Sequence, residues 1–160
     1  LFKKVSRLTG IQLVLHLFKY SQLSVYLVGG TDSVMLKTCS VIQKRYPNIS
    51  IKGAHHGYFS ESEKNNIMMD IKSKKPDLIL VAMGYPKQEL FLKELASSIS
   101  YGVGIGVGGV FDVISRETRW APKLVRLLGL EWVWRSIFQP HRLKQWPLLF
   151  SYLRLVLWGK

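Results

Sequence analysis

The residues best able to do chemistry in this chain lie where arginine stands beside tryptophan. These are Trp120-Ala-Pro-Lys-Leu-Val-Arg126, Gly129-Leu-Glu-Trp-Val-Trp-Arg135 and Gln139-Pro-His-Arg142, followed by an apolar run over 146–158. A guanidinium pairs bidentately with phosphate oxygens and an indole settles among lipid headgroups, so the combination suits anionic, phosphorylated substrates at a membrane surface. Arg135 and Arg142 are seven residues apart and can share one face of a helical segment, although Pro140 between them disturbs that register. A basic face drawn to anionic lipid is the alternative for both, and the two roles can coexist.

Earlier in the chain, Tyr58 follows Gly57 at an expected strand end, where an aromatic ring can stack on a nucleobase or simply pack. Asp112 follows Gly108-Gly109 at another; its carboxylate can accept from a ribose hydroxyl or a base N–H, or cap a helix. In Pro86-Lys-Gln-Glu89 a helix N-terminus offers backbone N–H groups, and Lys87 and Gln88 add side-chain donors for phosphate or sugar. Pro86 suits the first helical position, and Glu89 complements the helix dipole.

Other chemistries fit less well. The four aspartates, Asp32, Asp70, Asp77 and Asp112, form no Asp-x-Asp, so a departing diphosphate would need a cation from side chains instead. His55 and His56 are adjacent, cannot share a strand face, and have no partner at ligand spacing. Gly104, Gly106 and Gly109 match G-x-G-x-x-G, but no long helix clearly begins after them; close backbone packing is the better account. Cys39 is the single cysteine, which excludes an internal disulfide and reads as a small buried hydrophobe.

A net charge of +13 calls for an anionic partner, whether nucleic acid, nucleotide phosphate or anionic lipid. The 146–158 run contains Arg154 and is shorter than the roughly 20 residues a spanning helix needs, so it would lie on a membrane rather than cross it. Residues 1–10 carry Lys3, Lys4 and Arg7 with no signal-peptide core or cleavage site, and read as the start of a fragment inside a fold.

Positioning these groups requires a succession of strands and helices. Ser24-Val-Tyr-Leu-Val28 closed by Gly29-Gly30 reads as a strand and tight turn, followed by a helix from Thr31 to about Arg45. Ile49-Ser-Ile51 begins a second strand leading into Gly53-Ala-His-His-Gly-Tyr-Phe59, and Ser60 with Glu63 has capping-box spacing for a helix to about Lys72. Asp77-Leu-Ile-Leu-Val-Ala82 is wholly apolar, as in a parallel strand buried on both faces, and a fourth strand is expected over 101–107. The expectation is an α/β fold: a Rossmann-like open parallel sheet with helices on both faces over 1–115, and a basic, Trp-rich, membrane-associating helical appendage over 116–160. Ligands would bind beyond the carboxyl ends of the strands.

Gly53-Ala-His-His-Gly-Tyr-Phe59, Pro76 to Glu89, Gly106-Val-Gly-Gly-Val-Phe-Asp112, Arg119-Trp-Ala-Pro122 and Gly129-Leu-Glu-Trp132 together resemble the WecG/TagA/CpsF glycosyltransferase family, in order and over nearly the whole chain. The resemblance implies transfer of N-acetylmannosamine or its uronic acid from a UDP donor to a polyprenyl-diphosphate-linked N-acetylglucosamine. It further implies an inverting reaction with no metal and no cofactor, at the cytoplasmic face of a bacterial membrane, for teichoic acid, common-antigen or capsule assembly. Residue by residue, Tyr58 resembles the family's uracil-stacking aromatic, Asp112 its nucleoside-binding carboxylate and Gln88 the glutamine beside the reacting sugars. Arg135 and Arg142 resemble arginines that close over the diphosphate, and a third falls at Gln145, where Lys144 can substitute. The family's proposed general base lies in an Asp-Gly motif ahead of the segment resembled by Arg7-Leu-Thr-Gly10, so the fragment is expected to bind donor without it. The rival reading is a noncatalytic basic module for nucleic acid or a lipid surface, which explains the charge but not the strand-end motifs; on the preferred reading nucleic acid is not a partner, and homo-oligomerisation stays open.

Overall fold

The structure, a computed structural model, describes residues 8–100 and 102–116 together with Pro122 and Val125. The chain divides into two units, Leu1–Glu117 and Thr118–Lys160, and the fold described is that of the first. Arg135, Arg142 and Lys144, with the helical and membrane-associating character expected after residue 116, lie outside the described residues.

Helix α1 (Gly10–Tyr20) leads into strand β1 (Leu23–Gly29), helix α2 (Asp32–Arg45) and strand β2 (Ile49–His55). Helix α3 (Glu61–Lys74), strand β3 (Leu78–Ala82), helix α4 (Lys87–Ser98), strand β4 (Val103–Gly106) and the short helix α5 (Val110–Ile114) complete the unit. The four strands are all parallel, in the order β2-β1-β3-β4.

Alternation along the central strands assigns their side chains to two apolar layers. Val25, Leu27, Leu78, Leu80 and Ala82 face a core shared with α1, α2 and α5, including Phe18, Ile42 and Phe111. Tyr26, Val28, Ile79 and Val81 face the other way, onto Ile67 and Ile71 of α3 and Phe91 and Leu95 of α4. Every residue of β3 is buried, as its uninterrupted apolar run requires. Each fully buried large side chain contributes about 1.5–3 kcal/mol, so the two layers set the stability of the unit.

The helix starts follow local chemistry. Thr31 caps α2 by accepting from the Val34 N–H, and Ser60 caps α3 in a box in which the Glu63 carboxylate accepts from the Ser60 N–H at 2.7 Å. Helix α1, which the sequence reading did not anticipate, has the same device in Thr9 and Gln12 and buries Ile11, Val14 and Phe18 along one stripe. Asn48 fastens its far end by donating to the carbonyls of Phe18, at 2.8 Å, and Ser21.

Strand β2 starts at Ile49 and runs to His55, where the expected turn at His56-Gly57-Tyr58 takes over; within it Gly53 lies against the Tyr26 ring, which occupies the space a Cβ would need. The β1–β2 register shifts between Val25 and Tyr26, passing over Lys52, and the Tyr26 hydroxyl donates to Asp70 at 2.7 Å. Strand β4 is shorter than the expected 101–107: Gly102 turns at φ +72°, and Tyr101 lies outside the described residues. Val107 still donates to the Val81 carbonyl at 2.8 Å, one step past the strand.

Candidate functional site

In the order β2-β1-β3-β4 the chain moves outward in opposite directions from β1 and β3, so the crevice beyond their carboxyl ends is the topological switch point where open parallel sheets bind ligands. The floor of that crevice is backbone. Gly29, at φ +139°, faces the Ala82 main chain with no room for a Cβ, and the Gly30 N–H donates to the Ala82 carbonyl at 3.2 Å.

The turn after β2 is anchored to the same floor. The Gly57 N–H donates to the Gly30 carbonyl at 2.8 Å, and a Cβ on Gly57 would meet Gly29 Cα at 3.0 Å and Met83 Cγ at 3.2 Å. Gly57 therefore permits the approach, and it leaves Tyr58 on the rim, 74% exposed. Packing into the core, the plainer alternative for this tyrosine, is not what the structure shows.

Helix α4 starts one residue later than the sequence reading placed it. Pro86 is the residue before the helix, following a cis Tyr85–Pro86 bond, and Lys87 is the first helical residue. The Gln88 N–H is not open to a ligand, because it donates to the Gly84 carbonyl at 3.1 Å. The Gln88 side chain is 8% exposed; its Oε1 accepts from the Gly108 N–H at 3.0 Å and its Nε2 donates to Glu89 at 2.8 Å. Gly106 is what makes room for it, since a Cβ there would stand 2.8 Å from Gln88 Nε2. Gln88 thus clamps α4 to the turn that carries Asp112.

Asp112 lies in the first turn of α5, three residues after its N-cap Gly109, so it is not the cap itself. Helix α5 is held to α2 through a buried bond from the Thr38 hydroxyl to the Phe111 carbonyl at 3.3 Å. The Tyr58 turn and the Asp112 helix are therefore both fastened to the segment formed by β1 and α2, from opposite edges of the sheet. Gly104 accommodates Leu92 of α4, so the G-x-G-x-x-G match is a packing pattern ahead of a helix of only five residues.

A groove of about 690 Å³ opens beside the rim, between α3 and α4. Gly57, Phe59, Met83 and Lys87 line its inner end, so the structure brings Gly57 and Lys87 together. Lys64 in its wall is bound by Glu61 at 2.5 Å and Glu94 at 2.9 Å, and those carboxylates hold the ammonium above its ordinary pKa. Sequence reasoning passed over this groove, because it depends on neighbours from separate elements, and over the contact of His56 with Tyr58, which lies within one turn. The Tyr58 N–H donates to His56 Nδ1 at 3.1 Å, and His56 Nε2 lies 3.9 Å from Asp32 at the start of α2. The spacing of His56 and Tyr58, two apart across a glycine, was the only local hint.

Among the described residues no helix is long and apolar enough to cross a membrane. Compared with known protein families, residues 2–160 match the model of the Glycosyl transferase WecG/TagA/CpsF family. With the match spanning nearly the whole chain and the switch-point crevice lined as described, this protein belongs to the WecG/TagA/CpsF family of glycosyltransferases.

Proposed function

We propose that the chain transfers N-acetylmannosamine, or its uronic acid, from a UDP donor to an undecaprenyl-diphosphate-linked N-acetylglucosamine, peripherally at the cytoplasmic face of a bacterial membrane. The observation that carries the donor assignment is the exposed Tyr58 ring on a rigid turn at the switch point. A base can stack on such a ring, and family membership supplies the reaction class. Asp112 accepts from the nucleoside, while Lys87, at the start of α4 beside Gly57, faces the phosphate or sugar.

The reaction inverts the anomeric centre. The acceptor hydroxyl oxygen bonds to the anomeric carbon from the side opposite UDP, the bond to the diphosphate oxygen breaks, and its electron pair leaves with UDP. The hydroxyl proton passes to a general base, which the family resemblance places in an Asp-Gly motif ahead of the Arg7-Leu-Thr-Gly10 segment; no Asp-Gly pair occurs within these 160 residues, so the base is not among the residues named here. Arg135 and Arg142, with Lys144, balance the growing diphosphate charge in this proposal, and Gln88 stands beside the reacting sugars. The acceptor lipid and the basic 143–160 segment meet at the anionic membrane surface.

Calorimetric titration with UDP, repeated in the presence of a single-stranded oligonucleotide, tests the donor assignment. UDP binding that the oligonucleotide leaves unchanged is expected. Oligonucleotide binding with no heat from UDP would replace the proposal with the basic nucleic-acid module.

A further inference from the structure

We infer that His56 is a positioning residue for Tyr58, acting as a hydrogen-bond acceptor through Nδ1 and therefore as the Nε2–H tautomer. The inference rests on the reading that Tyr58 stacks on the donor base. A backbone N–H can only donate, so the 3.1 Å contact from the Tyr58 N–H requires a bare Nδ1 on His56 and leaves the neutral ring's proton on Nε2. His56 Nε2 lies 3.9 Å from Asp32 Oδ1, at the first residue of α2.

The neighbouring histidine is fixed the other way. His55 Nδ1 lies 2.9 Å from the His56 carbonyl oxygen, which can only accept, so in His55 the proton sits on Nδ1. The two imidazoles, with ring centroids 4.4 Å apart, carry their protons on opposite nitrogens. His55 also meets the Phe59 ring edge-on at 5.7 Å, which steadies the other side of the turn. Between these supports Gly57 is tied to Gly30. With Tyr58 exposed, its direction is set by this turn rather than by packing, and His56 is the side chain that closes the turn onto the Tyr58 amide.

Two substitutions separate the acceptor from the ring. Asn carries its side-chain oxygen where His has Nδ1, whereas Gln reaches the position of Nε2 and leaves the Tyr58 N–H without its acceptor. In the full chain, His56→Gln should speed exchange of the Tyr58 amide hydrogen and weaken UDP binding, each by about fivefold, the net worth of one ordinary hydrogen bond. His56→Asn should stay near wild type in both. Equal behaviour of the two variants overturns the inference, as does a nitrogen-15 spectrum of the wild-type protein with the His56 proton on Nδ1; the spectrum needs no variant to fold. If Tyr58→Ala weakens UDP and His56→Gln does not, the positioning role falls. If the exchange pattern follows expectation while neither variant alters UDP affinity, the base-stacking reading falls and the turn remains as assigned.

Discussion

The two ends of the sheet are built on opposite plans. At the amino ends one aspartate joins three strands: Asp77 Oδ2 accepts from the Ser24 N–H at 2.8 Å and its hydroxyl at 2.6 Å, while the Asp77 N–H and carbonyl bond to Ser24 and Val103. At the carboxyl ends glycines take the left-handed turns, with Gly30 at φ +68° and Gly84 at +77°, and Tyr58 and Tyr85 stand exposed. One end closes its own hydrogen bonds, and the other holds a stiff floor beneath side chains with little protein to touch. The contrast separates the residues that keep the sheet together from those proposed to meet a ligand.

Substitution at the floor should have the largest effect. Gly29→Ala forces a Cβ into the Ala82 backbone at a φ that L residues rarely adopt, and should destabilise the unit by about 3 kcal/mol in urea unfolding. A neutral result would mean that the carboxyl end is pliable and the contrast is wrong. Tyr58→Ala comes next: UDP binding in calorimetry should weaken by about 1–3 kcal/mol while the unfolding free energy stays within about 0.5 kcal/mol of wild type. A large stability loss with unchanged affinity would move Tyr58 to the structural side.

The smallest effect is expected at the amino end. Hydrogen bonds from the Ser24 hydroxyl and N–H hold the Asp77 carboxyl below its ordinary pKa of 3.8. A depressed carboxylate contributes its stability fully above that value and loses it as pH falls through the lowered one. Asp77→Asn should therefore lower the urea midpoint at neutral pH, flatten the decline below pH 3.8, and leave UDP affinity unaltered. Unfolding curves collected from neutral to acid pH decide it; an unchanged acid slope would mean that other carboxylates carry it.

Elements announced by their own residues were legible in sequence. The apolar run of β3, the turn at Gly29-Gly30 and the capping box of Ser60 and Glu63 need no distant partner to be recognised. Helix α1 carried equally local signals, Thr9 with Gln12 and the stripe of Ile11, Val14 and Phe18, and went unread among the basic residues before it. The end of β2 at the His56-Gly57-Tyr58 turn was readable, whereas the contact of Gly53 with the Tyr26 ring was not, because that ring belongs to another strand. Of the candidate site residues, Tyr58, Lys87 and Asp112 were singled out from the turns that precede them. The burial of Gln88 depends on Gly106 and Gly108, about 20 positions away in the chain, and its hydrogen bond to that turn has no local trace.

That single amide bond makes α4 and the Gly108 turn one mechanical piece. A substrate pressing on the start of α4 would pull on the segment carrying Asp112, so the two cannot adjust as independent jaws. Replacing Gln88 would therefore free a joint as well as remove the amide proposed to stand beside the reacting sugars. Lost turnover in such a variant would report both changes at once, and the motion of the Asp112 segment would have to be measured separately before the glutamine was credited with chemistry.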